Sequence, residues 1–266
     1  MRILCIILCF ITFVNAKSSF EIAKQLVNDD SKIEKLKLLF AKDSYMINNR
    51  ADIKAINQIL KMNSLLQYNF ANAKNISLTF NTKANATLFF KIISIVFEQI
   101  GVNYYEISSF DRVDDNISIS FNINSKYAID IGLVYDELKN MNVFIDDIYR
   151  YGSNFIYNLD FNKAVLNADF ILDNQDNKSL NLSKPLQDYF IRLVDVKQLI
   201  ISASDYDIWY PKIEFLDENL NLIQAYSQEN KTKSLTINVP YNCKFVNISD
   251  LFTLDNIKHG LNIEVN

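Results

Sequence analysis

The chain has 266 residues, 49% hydrophobic and 22% charged, with a net charge of −4 and only four Gly, three Pro and one His. Its glycines, at 101, 132, 152 and 260, stand alone, so no Gly-rich loop can cradle a phosphate on backbone amides. A single histidine leaves no imidazole cluster for a metal, and an acidic balance releases no counterions from nucleic acid, so neither a cofactor nor a nucleic-acid partner is expected.

Residues 1–16 read as an address. Met1 and Arg2 give a minimal positive start, residues 3–14 form an apolar run, and Val14-Asn15-Ala16 fits a small-x-small cleavage site. A helix of that run spans about 18 Å, short of a ~30 Å hydrocarbon core, so a cleaved signal peptide is expected, with an uncleaved anchor as the alternative. Cys5 and Cys9 fall inside it, so a mature chain starting at Lys17 keeps Cys243 alone and forms no internal disulfide. Lys, Asn and Ile are abundant, with 33 Asn. The bias resembles that of an AT-rich bacterial genome and points to the periplasm of a Gram-negative cell; a eukaryotic secreted protein is the alternative.

Residues 17–72 read as a helical N-terminal region. Ser31 and Glu34 have capping-box spacing ahead of Ile33, Leu36, Leu39 and Phe40, and a second stripe runs through Ile53, Ile56, Ile59 and Leu60. These helices either pack on the rest of the protein or form a short coiled-coil-like stalk. Residues 73–163 read as a strand (76–80), an apolar helix (86–100) and two strands (103–110 and 116–123) joined by a turn over Asp111–Asp115. The helix-strand-strand unit then repeats as 127–138, 142–149 and 155–161, at an offset growing from 38 to 40 residues. The order βαββαββ contains the split βαβ of a ferredoxin-like domain. Residues 164–182 read as a linker. Over 183–266, short runs at 189–194, 198–203, 212–216, 222–226, 234–239, 245–248 and 261–265, separated by Asp, Asn, Ser and Pro, predict an antiparallel β-sandwich. The fold class is α+β.

The middle region, with its helical lead-in, alternating strand, apolar helix and strand pair, resembles the periplasmic ferredoxin-like modules of pilus and secretion-machine alignment proteins. Residues 199–204 followed by 211–217 resemble pre-peptidase C-terminal or Ig-like sandwiches. Both resemblances imply modules that present surfaces to other envelope proteins.

Candidate sites are few. Asp205, Tyr206, Asp207, Trp209 and Tyr210 place the only Trp beside two tyrosines and two carboxylates. That mixture suits a glycan, with rings for stacking and acids for hydroxyls; otherwise the segment is a strand connection with Trp209 in the core. Acidic clusters at Asp29-Asp30, Asp111 with Asp114-Asp115, and Asp146-Asp147 read as solvated turns rather than Ca²⁺ sites, and no metal ligand set is expected. His259 reads as a turn residue, since as a catalytic base it has no local companion. Cys243 reads as a core residue. Of seven N-x-[ST] sequons, Asn116 has an acidic residue two places upstream, as bacterial oligosaccharyltransferases require, which makes it a glycan acceptor candidate.

The sequence therefore predicts a non-catalytic periplasmic structural or assembly protein, making protein–protein contacts in an envelope machine such as a flagellar motor, pilus or secretion system. The alternative is a glycan- or ligand-binding module using the 205–210 loop.

Overall fold

The computed structural model describes residues 17–41 and 45–265; the leader expected over residues 1–16 lies outside them. The chain divides into two compact units. The first holds the described residues up to Ala84 together with Ile93–Ala164, and the second holds Asn85–Ile92 and the chain from Val165 onward. The architecture is α+β, with a βαββαββ module and a C-terminal β-sandwich.

In the first unit, α1 (Ser19–Val27) and α2 (Ile33–Leu39) are followed by a small hairpin of β1 (Met46–Ile47) and β2 (Arg50–Ala51), then α3 (Ile53–Met62). A capping box starts α1: Ser18 Oγ accepts from the Glu21 N–H (3.2 Å) and Glu21 Oε2 accepts from the Ser18 N–H (2.9 Å). The box expected at Ser31 and Glu34 does not form. The Asp29 carboxylate takes the Ser31 N–H (2.9 Å) first, which draws Ser31 into a 3-10 turn over Asp30–Lys32, and α2 continues from it without a side-chain cap. Asp52 caps α3 by accepting from the Ala55 N–H (3.1 Å), and Ile53, Ile56 and Leu60 form its fully buried stripe.

The sheet of this unit is built from β3 (Asn69–Lys83), β4 (Glu106–Val113), β5 (Asn116–Tyr127), β6 (Phe144–Tyr151) and β7 (Asn154–Asp160). Helix α4 (Ala86–Gln99) runs between β3 and β4, and α5 (Ile131–Asn140) between β5 and β6. The strand order is β4-β5-β3-β7-β6, with β3 antiparallel to β5 and parallel to β7. The first crossover is a split βαβ, since β5 lies between β3 and β4. The second spans two strands: β7 turns back beside β3 and leaves β6 at the edge, where a simple ferredoxin-like order has no such extra strand. Alternation sends Ile76, Leu78 and Phe80 of β3, Ile117, Ile119 and Phe121 of β5, and Phe155, Tyr157 and Leu159 of β7 to one buried face. Phe80 is at its centre, stacked on Tyr157 (ring centroids 4.9 Å) and edge-on to Phe121 (5.9 Å).

The two helix-strand-strand units share a finer feature. Strand starts differ by 38 residues for both strands (Glu106 and Phe144, Asn116 and Asn154), so the offset does not drift to 40. Their outer strands also carry register shifts at matching places, between Ile107 and Ser109 and between Ile145 and Asp147. The N-terminal helices form no stalk: α1 and α3 pack on each other, α3 also on α5, and α1 on β6. Their apolar stripes are covered by the second repeat.

In the second unit, the residues expected as a linker contribute two strands, β8 (Phe170–Asp173) and β9 (Ser179–Asn181). Leu172 is fully buried and Leu182 nearly so, which anchors both ends of the polar 173–179 turn to the core. There follow β10 (Tyr189–Val194), β11 (Gln198–Ala203), β12 (Pro211–Leu216), β13 (Leu222–Ser227), β14 (Ser234–Asn238), β15 (Phe245–Asp250) and β16 (Leu261–Val265). They form one sheet of order β13-β12-β15-β10-β8 and another of order β14-β11-β16-β9. All pairings are antiparallel except β8 with β10, which is parallel. Ile191, Ile213, Phe215 and Ile248 from the first sheet and Leu199, Ile201 and Ile263 from the second make one core.

Candidate functional site

The loop singled out for glycan binding is built differently from that expectation. Trp209 is fully buried in the sandwich core, and its Nε1–H donates to the Ser249 carbonyl (3.0 Å). A ring without exposed faces cannot stack on a sugar, so the Trp209-based site is withdrawn: the sandwich needs an aromatic between its sheets where the chain crosses from β11 to β12. Tyr206 is exposed, whereas Tyr210 is half-buried with its ring edge-on to Phe252 (4.9 Å). Asp205 is exposed, and its carbonyl, with those of Ser204 and Asp207, accepts from Lys233 Nζ (2.6, 3.0 and 3.0 Å). One ammonium thus clamps three carbonyls and fixes the loop.

Asp207 does have a partner that no local pattern reveals. Its carboxylate, 1% exposed, accepts from the His259 backbone N–H at Oδ2 (3.0 Å) and lies 2.6 Å from His259 Nδ1 at Oδ1. His259 has no companion near it in sequence; an acid 52 residues away orients its ring. Among the described residues the hydrogen bonds of His259 go to Asp207 alone, so the pair ties the 258–260 turn to the 205–210 loop. Gly260, at φ +88°, is part of the same turn; a Cβ there would come within 1.7 Å of the Leu182 carbonyl oxygen. Cys243 packs on the core, its Sγ 3.2 Å from the Phe245 carbonyl, and burial pushes its thiol up to about 11.

In the first unit, a cavity of about 590 Å³ opens where β3 and β7 end and the β4–β5 hairpin turns. Asn116, the glycan acceptor candidate, lies on its wall, exposed, at the first position of β5; its Nδ2 contacts the Val113 carbonyl (3.4 Å) across a turn in which Asp114 adopts φ +55°. Asp146 and Asp160 share the opposite wall and both pair with Arg50, Asp160 at 2.6 Å. The shared cation does not act on both alike. Burial, with repulsion from Asp160 and Asp147, raises Asp146 despite Arg50, whereas the Asn162 backbone N–H and Arg50 outweigh burial and hold Asp160 below the usual carboxylate range. Asp147 pairs with Lys17, and Asp29 is consumed in capping. Among the described residues no group of three or more His, Cys, Asp or Glu side chains is arranged to hold a metal ion.

The two edges of this sheet differ. Along β6, α1 packs against the strand, Lys17 Nζ reaches Asp147 and the Tyr149 hydroxyl, and the Gln25 amide, turned to satisfy both its ends, donates to the Ile148 carbonyl (3.3 Å). Every residue of β4 is exposed, including Ile107 (49%), Phe110 (47%) and Val113 (69%). Past its register shift the strand runs regularly from Ser109 to Val113 against β5, and among the described residues no further strand pairs with its outer side. The sequence predicts a strand here; that it is an open edge follows only from the strand order.

Among the described residues no helix is long and apolar enough to cross a membrane. No family model matches the chain, and no curated protein does. Among solved structures, that of the infectious bursal disease virus Gx strain aligns at 10% identity over 73% of this chain, with a TM-score of 0.16. The chain spans about half the length of that viral chain (48%), and a likeness this slight carries no argument.

Proposed function

We propose that this protein is a non-catalytic structural or assembly component of the cell envelope, exported to the periplasm through a cleaved leader, that binds other proteins by strand addition at β4. The open β4 edge, with three large apolar side chains exposed among polar ones, supports the reading. Natural sheets usually cover, charge or interrupt an edge, because its free N–H and C=O groups template pairing with another chain. Here the other edge is covered, while β4 is left uncovered: beside its charges at Glu106, Asp111 and Arg112 and its one register shift it keeps Ile107, Phe110 and Val113 exposed. A strand added to β4 gains main-chain hydrogen bonds for affinity and alternate side-chain contacts for specificity. The contact belongs to an envelope machine such as a flagellar motor, pilus or secretion system, a step resting on the resemblance of the middle region. Asn116, beside this edge, is proposed as its glycan acceptor.

The test is affinity purification of the exported protein from its native envelope, beside an Ile107→Lys/Val113→Lys variant with an unchanged circular dichroism spectrum. A defined partner recovered with the parent and lost at least about tenfold with the variant supports the proposal. No partner, or equal recovery with the variant, overturns it. N-terminal sequencing that starts at Lys17 supports export, and an unprocessed cytosolic chain refutes it.

A further inference from the structure

The first-unit sheet has a second face, and its composition is unusual. Residues paired across β5, β3 and β7 opposite the buried stripe are amides and hydroxyls, joined across strands in successive rows. Asn124 Nδ2 donates to Asn75 Oδ1 (2.9 Å), Thr79 and Ser120 share a hydroxyl bond (2.8 Å), and Asn81 Nδ2 donates to Asn158 Oδ1 (2.9 Å). Between the first two rows, Ser77 faces Asn122. From Asn75 to Asn81, Ser118 to Asn124 and Asn154 to Asn158 this face carries no charge, and Ile156 is its one large apolar side chain. Each joined amide pair has used one N–H and one oxygen, and keeps a further N–H and an acceptor lone pair for a ligand. Rows two residues apart along a strand recur about every 6.7 Å, which makes the array periodic in two directions.

Both ends of the array are concave. The cavity of about 590 Å³ lies at the Asn81 and Asn158 end, and another of about 500 Å³ lies at the Asn75 and Asn124 end, where Tyr104 stands 90% exposed. On the β6 side, Tyr149 and Tyr151 face Ile156 and Asn154 with their rings stacked at 6.4 Å; Lys17 lies over the Tyr149 ring and Tyr151 is 53% exposed.

We propose that this amide-and-hydroxyl face, distinct from the β4 edge, binds an uncharged polysaccharide chain. An apolar protein surface or a lipid tail would strip water from these groups without replacing its hydrogen bonds, at a cost for each group left unpaired. A polyanion finds no basic side chains across the middle of the face. A neutral glycan has hydroxyls that donate and accept at once, matching groups that offer both, and the apolar face of a sugar ring fits the exposed Tyr151 ring.

The test uses the exported chain, ¹⁵N-labelled, with neutral hexasaccharides (cellulose-, chitin-, xylan- and mannan-derived) on an array and in titration, beside a sulfated hexasaccharide, a DNA oligomer and anionic lipid vesicles. The expected result is saturable binding of a neutral hexasaccharide that shifts the side-chain amide resonances of Asn75, Asn81, Asn124 and Asn158. Replacing Asn81 and Asn158 with Ala removes two or more hydrogen bonds and weakens binding about tenfold or more at an unchanged melting temperature. Should that variant lose stability, Ser77→Ala with Tyr151→Ala takes its place. Retention of no neutral hexasaccharide, stronger retention on the sulfated sugar, DNA or vesicles, shifts confined to other parts of the chain, or undiminished binding by the variants overturns the proposal.

Discussion

Replacing Trp209 with Ala tests the account of the second unit, because the two readings of that residue predict opposite outcomes. A ring used to bind a sugar could be removed with little effect on folding. The fully buried ring between the sheets cannot. Truncating a buried Trp to Ala costs about 3–5 kcal/mol in transfer and cavity terms, and the Ser249 carbonyl loses its indole donor as well. For a unit of this size, about 4 kcal/mol lowers the melting temperature by roughly 15 °C or more. Trp209→Phe keeps an aromatic ring but not the N–H bond, so its loss is smaller, about 1–3 kcal/mol. Trp209 is the only Trp, so wild-type unfolding of this unit can be followed by its fluorescence, which should resist acrylamide until the unit opens. The variants are followed by circular dichroism. A Trp209→Ala protein that melts with the wild type, or a wild-type indole quenched as readily as free tryptophan, refutes the placement.

Three other predictions concern the same unit. Gly260→Ala puts a methyl group against the Leu182 carbonyl at a left-handed backbone position, and should cost about 3 kcal/mol or more, seen as lost soluble yield and a lower urea midpoint. Asp250→Ala should cost a similar amount in the same titration. Its buried carboxylate accepts from the Tyr210, Phe252 and Thr253 N–H groups and from Asn256 Nδ2 (2.8–3.0 Å), and all four donors lose their acceptor; an unchanged midpoint would contradict the network. Alkali should also destabilise the fold. Burial pushes the Cys243 thiol from 9.0 to about 11, and burial with Asp207 pushes the Tyr189 phenol from 10.0 to about 12. Both stay protonated in the folded state at a pH where the unfolded chain has lost the proton, so stability falls as pH rises from about 9 to about 12. A urea midpoint that holds or rises between pH 8 and 11 would contradict this sign.

Periodicity made much of the fold legible. The run 189–194 is β10, 198–203 is β11 and 261–265 is β16: each is a short, apolar-rich run between polar or Gly punctuation, and Leu261–Val265 alternates strictly. Strands β8 and β9 escaped because they are four and three residues long beside a polar turn, and exist only through their pairing with β10 and β16. The candidate sites were less legible, for a related reason. Trp209 among Tyr and Asp looks the same in sequence whether it faces water or the core, and the facing sheet decides. Asp207 and His259 meet only when the sandwich closes. The polar face was partly visible, since Ser77, Thr79 and Asn81 alternate with a buried stripe, as do Ser118, Ser120 and Asn122. That the two sets are neighbours depends on β5 folding back beside β3.

The open β4 edge gains weight from its repeat partner. The outer strands of the two helix-strand-strand repeats carry their register shifts at matching positions, so Asp146 and Asp147 correspond to Ser108 and Ser109. In the second repeat those carboxylates hold Arg50 and Lys17, and with them the N-terminal segment that covers β6. In the first repeat the same positions hold hydroxyls, which attract no cation. One copy of the motif thus carries the charges that close its edge, and the other lacks them. Placing the pair on β4 by Ser108→Asp/Ser109→Asp adds repulsion against an incoming backbone and should weaken partner recovery by about tenfold; both positions are exposed, so the loss of the Ser108 Oγ bond to the Ser120 carbonyl (3.2 Å) should cost no more than about 1 kcal/mol of stability. Undiminished recovery would mean that contacts are made elsewhere and that the asymmetry of the repeat has no bearing on assembly.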